Sequence, residues 1–159
     1  MILLDTTVLG NLARIGRIDV LRLALPDAVT TPQVLVELEK GRESGYLPAG
    51  PGEWPPAVNL APQEEARMAG LRSILGDGEA SCLAVLLERG GALFSDDLDA
   101  RRYAQRQGIP VSGTLGVLVL LVEQGHLTLA QADNCLRRMI ALGYRSPVKS
   151  LAALRPDSA

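Results

Sequence analysis

The stretch GGALFSDDLDARRYAQRQG, Gly90 to Gly108, sets a three-residue apolar run against a burst of negative charge. Ala92, Leu93 and Phe94 lie between Gly90-Gly91 and the acids Asp96, Asp97 and Asp99. A strand apolar on both faces belongs in a parallel sheet covered by helices on both sides. Ala100, Tyr103 and Ala104 then recur at helical spacing, so the strand feeds directly into a helix. The acids therefore stand at the carboxyl end of a buried strand, where doubly wound sheets bind their ligands.

The same alternation runs outward in both directions. Ile2-Leu3-Leu4 reads as a buried strand ending in Asp5, followed by a helical pattern through Leu9, Leu12 and Ala13 and, after Gly16, through Val20 and Leu21. Ala28-Val29-Thr30 reads as a second strand, and Thr31-Pro32 supplies an N-cap and first-turn proline for a helix carrying Val34, Leu35 and Leu38. The glycine- and proline-rich segment from Gly41 to Pro56 predicts a surface loop, and Ala57 to Leu60 a further short or edge strand. Helices are expected after Pro62 and from Gly78 to Arg89, where Gly90-Gly91 stops the second. Beyond Gly108 come a strand at Ile109 to Val111 and a very apolar helix from Gly113 to Gln124. Thr128 and Gln131 form a capping box for a helix ending near Gly143, and Ser146-Pro147 opens a last short one. The expected architecture is a three-layer α/β/α sandwich around a mainly parallel sheet. It occupies residues 1–148 as one domain, with 149–159 as a C-terminal tail.

Composition narrows the function. Of 159 residues 47% are hydrophobic, enough for one core, and the net charge of −2 gives no basic signature for nucleic acid. Any such binding must rest on a local patch or on metal ions. Cys82 and Cys135 lie in apolar helical patterns and read as buried thiols of a reducing compartment. Asp5 comes too early for a signal peptide, and the longest apolar run, Leu115 to Val122, is well short of the roughly 20 residues of a membrane span. A cytoplasmic protein with no membrane association is expected.

The candidate chemistry is in the carboxylates. Asp5, Asp96 and Asp97 stand at two strand exits, and Glu79 in the first turn of a helix. Each is also a residue that helix capping or the helix dipole favours. Glu37 and Glu39 flank opposite sides of the Val34–Leu38 stripe, and periodicity leaves open which faces a site. The single histidine, His126, falls in a helix-to-helix turn, which removes a Ser-His triad and a His-based zinc site. No phosphate-binding GxxxxGK[ST] loop occurs. Carboxylates and hydroxyls remain, and oxygen ligands of that kind suit Mg²⁺ or Mn²⁺.

Taken together, ILLDTTVLGNLARIG, TTPQVLVELEKG, the run from GDGEAS through SDDLDARR to VEQG, and ALGYRSPV resemble a PIN domain, nearest to its prokaryotic VapC-related branch. The resemblance spans Ile2 to about Val148. It implies a Mg²⁺- or Mn²⁺-dependent ribonuclease that hydrolyses phosphodiesters with metal-activated water, in the manner of toxins held inactive by a small antitoxin. It implies Asp5, Glu37, Glu79 and Asp97 as catalytic acids, with metal held by Asp5, Asp96, Asp97 and Glu79. Thr7, Thr114 and Arg101 are implied as substrate contacts, though Arg101 is also spaced for an ordinary ion pair with Asp97. RNA is the implied substrate and a homodimer the implied assembly. The chain departs from these toxins in its mildly acidic balance. The alternatives are a catalytically weak PIN-like binding or regulatory module, or a phosphoacceptor or phosphatase of similar topology. The last lacks support, since LDTTV has no second Asp for a DxDx[TV] motif.

Overall fold

The computed structural model describes residues 1–48 and 53–154. Strand β1 (Ile2–Leu4) leads into α1 (Thr6–Arg14) and α2 (Ile18–Ala24), then α3 (Pro32–Glu43), α4 (Pro62–Leu71) and α5 (Asp77–Arg89). Strand β2 (Ala92–Phe94), α6 (Leu98–Arg106), β3 (Val111–Ser112), α7 (Thr114–Glu123), α8 (Leu129–Ala141) and a 3₁₀ turn (Leu151–Leu154) complete the order.

The sheet is parallel throughout. β1 pairs with β2 in the register Leu3 to Leu93, and β2 pairs with β3 with Leu93 opposite Val111. On the other side of β1, Leu3 bridges Val29, and Thr30 bridges Ala57 in turn. The chain thus leaves β1 in one direction through residues 29 and 57, and later in the other through β2 and β3. A reversal of this kind opens a crevice at the strands' carboxyl ends. Asp5 and Ser95–Asp97 sit there, and the Asp5 amide donates to the Phe94 carbonyl at 3.1 Å.

Helices pack in two groups, one built on α5 with α3, α4 and α6, the other on α1, α2, α7 and α8. This is the α/β/α arrangement the alternation predicts. Local signals hold at several ends. Thr31 caps α3 by accepting from the Val34 amide, the Thr128–Gln131 capping box starts α8, and Gly90, with φ at 73°, ends α5. Both cysteines are buried and free. Among the described residues no helix is long and apolar enough to cross a membrane.

Four boundaries differ from expectation. Val29 and Thr30 make single bridges, each to a different neighbour, so no continuous strand forms at 28–30 or 57–60. The last strand begins at Val111, because Pro110 has no N–H to donate and serves only as acceptor to the Leu93 amide. The expected surface loop loses its first residues to α3, and buried Leu47 anchors its next part; residues 49–52 lie outside the described ones. Finally, no helix opens at Ser146-Pro147. The Ser146 hydroxyl turns onto its own backbone at Val148, and the chain regains helical form only at Leu151. There Asp133 of α8 accepts from the Leu151 amide at 2.7 Å and from the Ser150 hydroxyl at 2.9 Å. That turn packs on α7 and α8 with Leu151 buried.

Candidate active site

Asp5 follows β1 directly and caps α1. Its Oδ1 accepts from the Thr7 amide at 3.0 Å, the Thr7 hydroxyl at 2.6 Å and the Val8 amide at 3.2 Å. The residue is fully buried, and Oδ2 has no hydrogen-bond partner among the described residues. Burial pushes this carboxyl up to about 7, and the charge on Glu79 adds to the rise. The Thr7 hydroxyl and Val8 amide pull it down, as does the nearby Ser95 hydroxyl, which makes no hydrogen bond of ordinary geometry to Oδ2. The same burial, with the charge on Asp5, pushes the neighbouring Cys82 thiol up. An unpartnered oxygen on a carboxyl this deep is costly and calls for a cause, of which a bound cation is one.

Thr7 ties the two strand exits together, since its hydroxyl also accepts from the Asp96 amide at 2.8 Å. Asp96 is held on both oxygens. Oδ1 accepts from the Thr114 amide, and Oδ2 from Asn11 Nδ2, both at 2.9 Å, with the Thr114 hydroxyl also on Oδ2. Asp97 has a different task and caps α6 through the Ala100 amide at 2.8 Å, while its charge still reaches Glu79. Thr7 and Thr114 therefore orient acids.

Glu37 reaches across from α3 to the start of α5, where its Oε1 accepts from the Gly78 amide at 2.9 Å and its Oε2 from the Thr6 hydroxyl. Gly78 permits this approach, because a Cβ there would overlap the Glu37 carboxyl and stand 2.9 Å from the Thr6 hydroxyl. Glu79 is raised above its ordinary value by burial first, then by the charges on Glu37, Asp97 and Asp77. Glu39 faces away, paired with Arg42 at 3.1 Å, and borders a larger apolar groove of about 600 Å³ between α1, α3 and residues 53–57.

Glu37, Glu79 and Asp96 line one cleft of about 430 Å³, with Asp5 buried beneath the same strand ends. This smaller cleft gathers three of the candidate acids, whereas the larger groove has none of them, its charged lining being Asp19, Glu39, Arg42 and Glu53. Arg101 lies outside it. Its guanidinium donates to the Ser95 carbonyl at 2.8 Å, which takes the place of the i,i+4 pairing with Asp97 that its spacing allows. His126 is exposed in its turn. Sequence reasoning missed Asn11, Arg14, Tyr46, Tyr144 and Arg145, all lining the cleft. A signal existed for two of them: Thr7, Asn11 and Arg14 recur at i, i+4 and i+7 and share one face of α1.

The donor set is all oxygen, which suits a hard divalent cation, and the orphaned Asp5 Oδ2 is the atom such an ion would satisfy. As the side chains stand, no three acidic, histidine or cysteine groups among the described residues close into a ligand cluster. The residues fit a metal by chemistry and by the unsatisfied oxygen, and closing a ligand set requires side chains to move from where they stand.

Comparison with known proteins follows the same line. The chain has no match among curated proteins and none among solved structures. The model of the DUF3368 family, described as a PIN domain, matches residues 1–156. With that match over the sheet and its acidic strand exits, the chain belongs to the PIN domain family.

Proposed function

We propose that the chain is a Mg²⁺- or Mn²⁺-dependent endoribonuclease, a specific form of the nuclease activity general to PIN domains, and that it acts as a toxin restrained by a small antitoxin. The observation that carries the reading is Asp5: a fully buried carboxyl with one oxygen unpartnered, at the strand crossover, beside further carboxylates. Asp5, Asp96, Asp97 and Glu79 would hold the ion. When bound, a divalent ion lowers the pKa of water and offsets charge on the phosphate. The chain supplies the rest. Thr7 and Thr114 fix the orientation of Asp5 and Asp96. Glu79, raised above its ordinary value by burial and by its acidic neighbours, holds a proton more readily than a free carboxylate and is the group suited to take one at its carboxylate oxygens. Glu37, anchored on the Gly78 amide, sets the charge around it. A homodimer and the antitoxin follow from the likeness to the VapC-related branch, and the half-buried apolar residues of α7 are compatible with a self-contact.

The test is cleavage of mixed RNA with Mn²⁺. Wild type is expected to cut, and both EDTA and Asp5→Asn to abolish cutting. A second reading, a regulatory module that binds without cutting, draws on the net charge of −2 and the open ligand set. Wild type that shifts its melting temperature with Mn²⁺ yet leaves RNA intact would decide for the module.

A further inference from the structure

Gly78 is the residue that lets the Glu37 carboxyl approach, and it stands directly before Glu79. Glycine has the widest backbone freedom of any residue, so the first turn of α5 is loosest where two acids depend on it. The Glu79 carboxyl folds back over that turn, and a Cβ at Gly76 would stand 2.6 Å from its Oε2. Rotation about Gly78 would carry Glu79 with it and move the amide on which Glu37 rests.

Two buried hydroxyls restrain the turn. The Ser81 hydroxyl donates to the Gly78 carbonyl at 2.7 Å, and it lies 2.6 Å from the Thr31 hydroxyl, 50 positions away. A carbonyl only accepts, so the single Ser81 proton is used there, and the Thr31 hydroxyl is the donor in the second contact. Thr31 in turn accepts from the Val34 amide as the cap of α3. Hydrogen bonds thus run in one direction, from the α3 cap through Thr31 and Ser81 to the Gly78 carbonyl. The Gly78 amide closes the loop by donating to Glu37, in the second turn of α3. Both peptide groups that flank Gly78 are held, one by Glu37 and the other by Ser81.

Stability does not call for this arrangement. Thr31 and Ser81 are fully buried, and a serine that bonds back to its own helix is slightly unfavourable. An apolar pair of the same shape can serve the core equally well. What the hydroxyls add is direction. We infer, on the nuclease reading, that Thr31 and Ser81 are positioning residues for cleavage. Their relay fixes the Gly78 backbone and through it sets Glu37 and Glu79 at the cleft those acids line.

The test reads kcat and KM with Mn²⁺ on an RNA strand that wild type cuts, and amide exchange by NMR in the metal-free protein. Thr31→Val keeps the shape and removes the hydroxyl, whereas Thr31→Ser keeps the hydroxyl and removes a methyl. If the relay positions the acids, Thr31→Val lowers kcat about tenfold with KM within about twofold, and Thr31→Ser stays near wild type. A packing role gives the reverse order, since only Thr31→Ser opens a cavity. Ser81→Ala should match Thr31→Val. The double variant leaves no orphaned hydroxyl, and it should be no slower than either single one, because one relay is broken only once. Relative to Leu86 deeper in α5, exchange at the Gly78 amide should quicken at least about fivefold in Thr31→Val and Ser81→Ala. Ser73→Ala removes an exposed hydroxyl bonded in the same way to the Gly70 carbonyl, and it should change neither reading. Variants that keep the wild-type kcat, or whose Gly78 amide exchanges no faster, overturn the relay and leave the nuclease standing. Losses confined to KM also overturn it, since neither buried hydroxyl can touch a substrate. Wild type that leaves every RNA intact overturns the nuclease reading, and with it any part for the relay in cleavage.

Discussion

At Asp5 the capping of α1 and the electrostatics of the strand exit compete over one carboxyl. Raising that group from an ordinary 3.8 to about 7 costs the ionised folded state on the order of 4 kcal/mol, an upper figure for a buried site. The native state keeps its proton where the unfolded chain has lost it. Metal-free stability therefore falls as pH rises from about 4 to about 7, and the whole loss is present above that. Asn at this position retains an oxygen for the Thr7 and Val8 amides and carries no charge. Asp5→Asn is expected to flatten the dependence and to melt higher than wild type at pH 8 in EDTA, while Mn²⁺ raises the melting temperature of wild type alone. Parallel pH curves, or equal Mn²⁺ shifts, would remove Asp5 from the acidic pocket. Gly78→Ala tests the neighbouring contact. Its Cβ takes the space of the Glu37 carboxyl, so cleavage should fall at least tenfold. Helix propensity favours Ala by up to about 1 kcal/mol, so melting should change little. Full activity in a stably folded Gly78→Ala protein would show that Glu37 need not sit where it does.

At the scale of elements, α4 and α5 are clasped by one ion pair. Arg89 meets both oxygens of Glu64 at 2.6 Å and the Asn59 carbonyl at 2.8 Å. Glu64 is 1% exposed, and the Arg89 guanidinium holds its carboxyl below the ordinary value. That stability is present above about 4.5 and is lost as pH falls through the depressed value. Arg89→Met strands the carboxylate. Removing one partner of a fully buried pair costs roughly 3–5 kcal/mol, and Arg89 is partly exposed, so about 2 kcal/mol is expected here. Melting at pH 7 should drop by roughly 4–8 °C, and the acid limb of the stability curve should shrink. A loss below about 0.5 kcal/mol would mean that water already screens the pair. Capping signals such as Thr128 with Gln131 were legible in the residues because both partners lie within one turn. The end of the chain was less legible, because the partner of Leu151 and Ser150 is Asp133, on another helix.

For the whole molecule, the closing 3₁₀ turn tests how far the cooperative body extends. Leu151 is buried against α7 and α8, and Leu151→Ala should cost about 2–3 kcal/mol in a thermal melt. A change under about 0.5 kcal/mol would set the turn apart as a tail. The amino-acid order by itself determined the layered α/β fold and the acidic strand ends. Buried apolar triplets alternating with amphipathic helices admit a parallel sheet covered on both faces, and such sheets bind at the strands' carboxyl ends. Local periodicity carries that much, because it depends on residues a few positions apart. The division of labour inside the site came from tertiary structure. Glu37 turns to the Gly78 amide 41 positions away while Glu39 pairs with Arg42, and Asp96 takes Thr114 and Asn11 while Asp97 caps its own helix. Arg14 and Tyr46 meet Tyr144 and Arg145 in one cleft only through the packing of α1 and the segment after α8. Neighbours in sequence face different surroundings once folded, and which hydrogen bonds each satisfies is settled by the elements that pack over it.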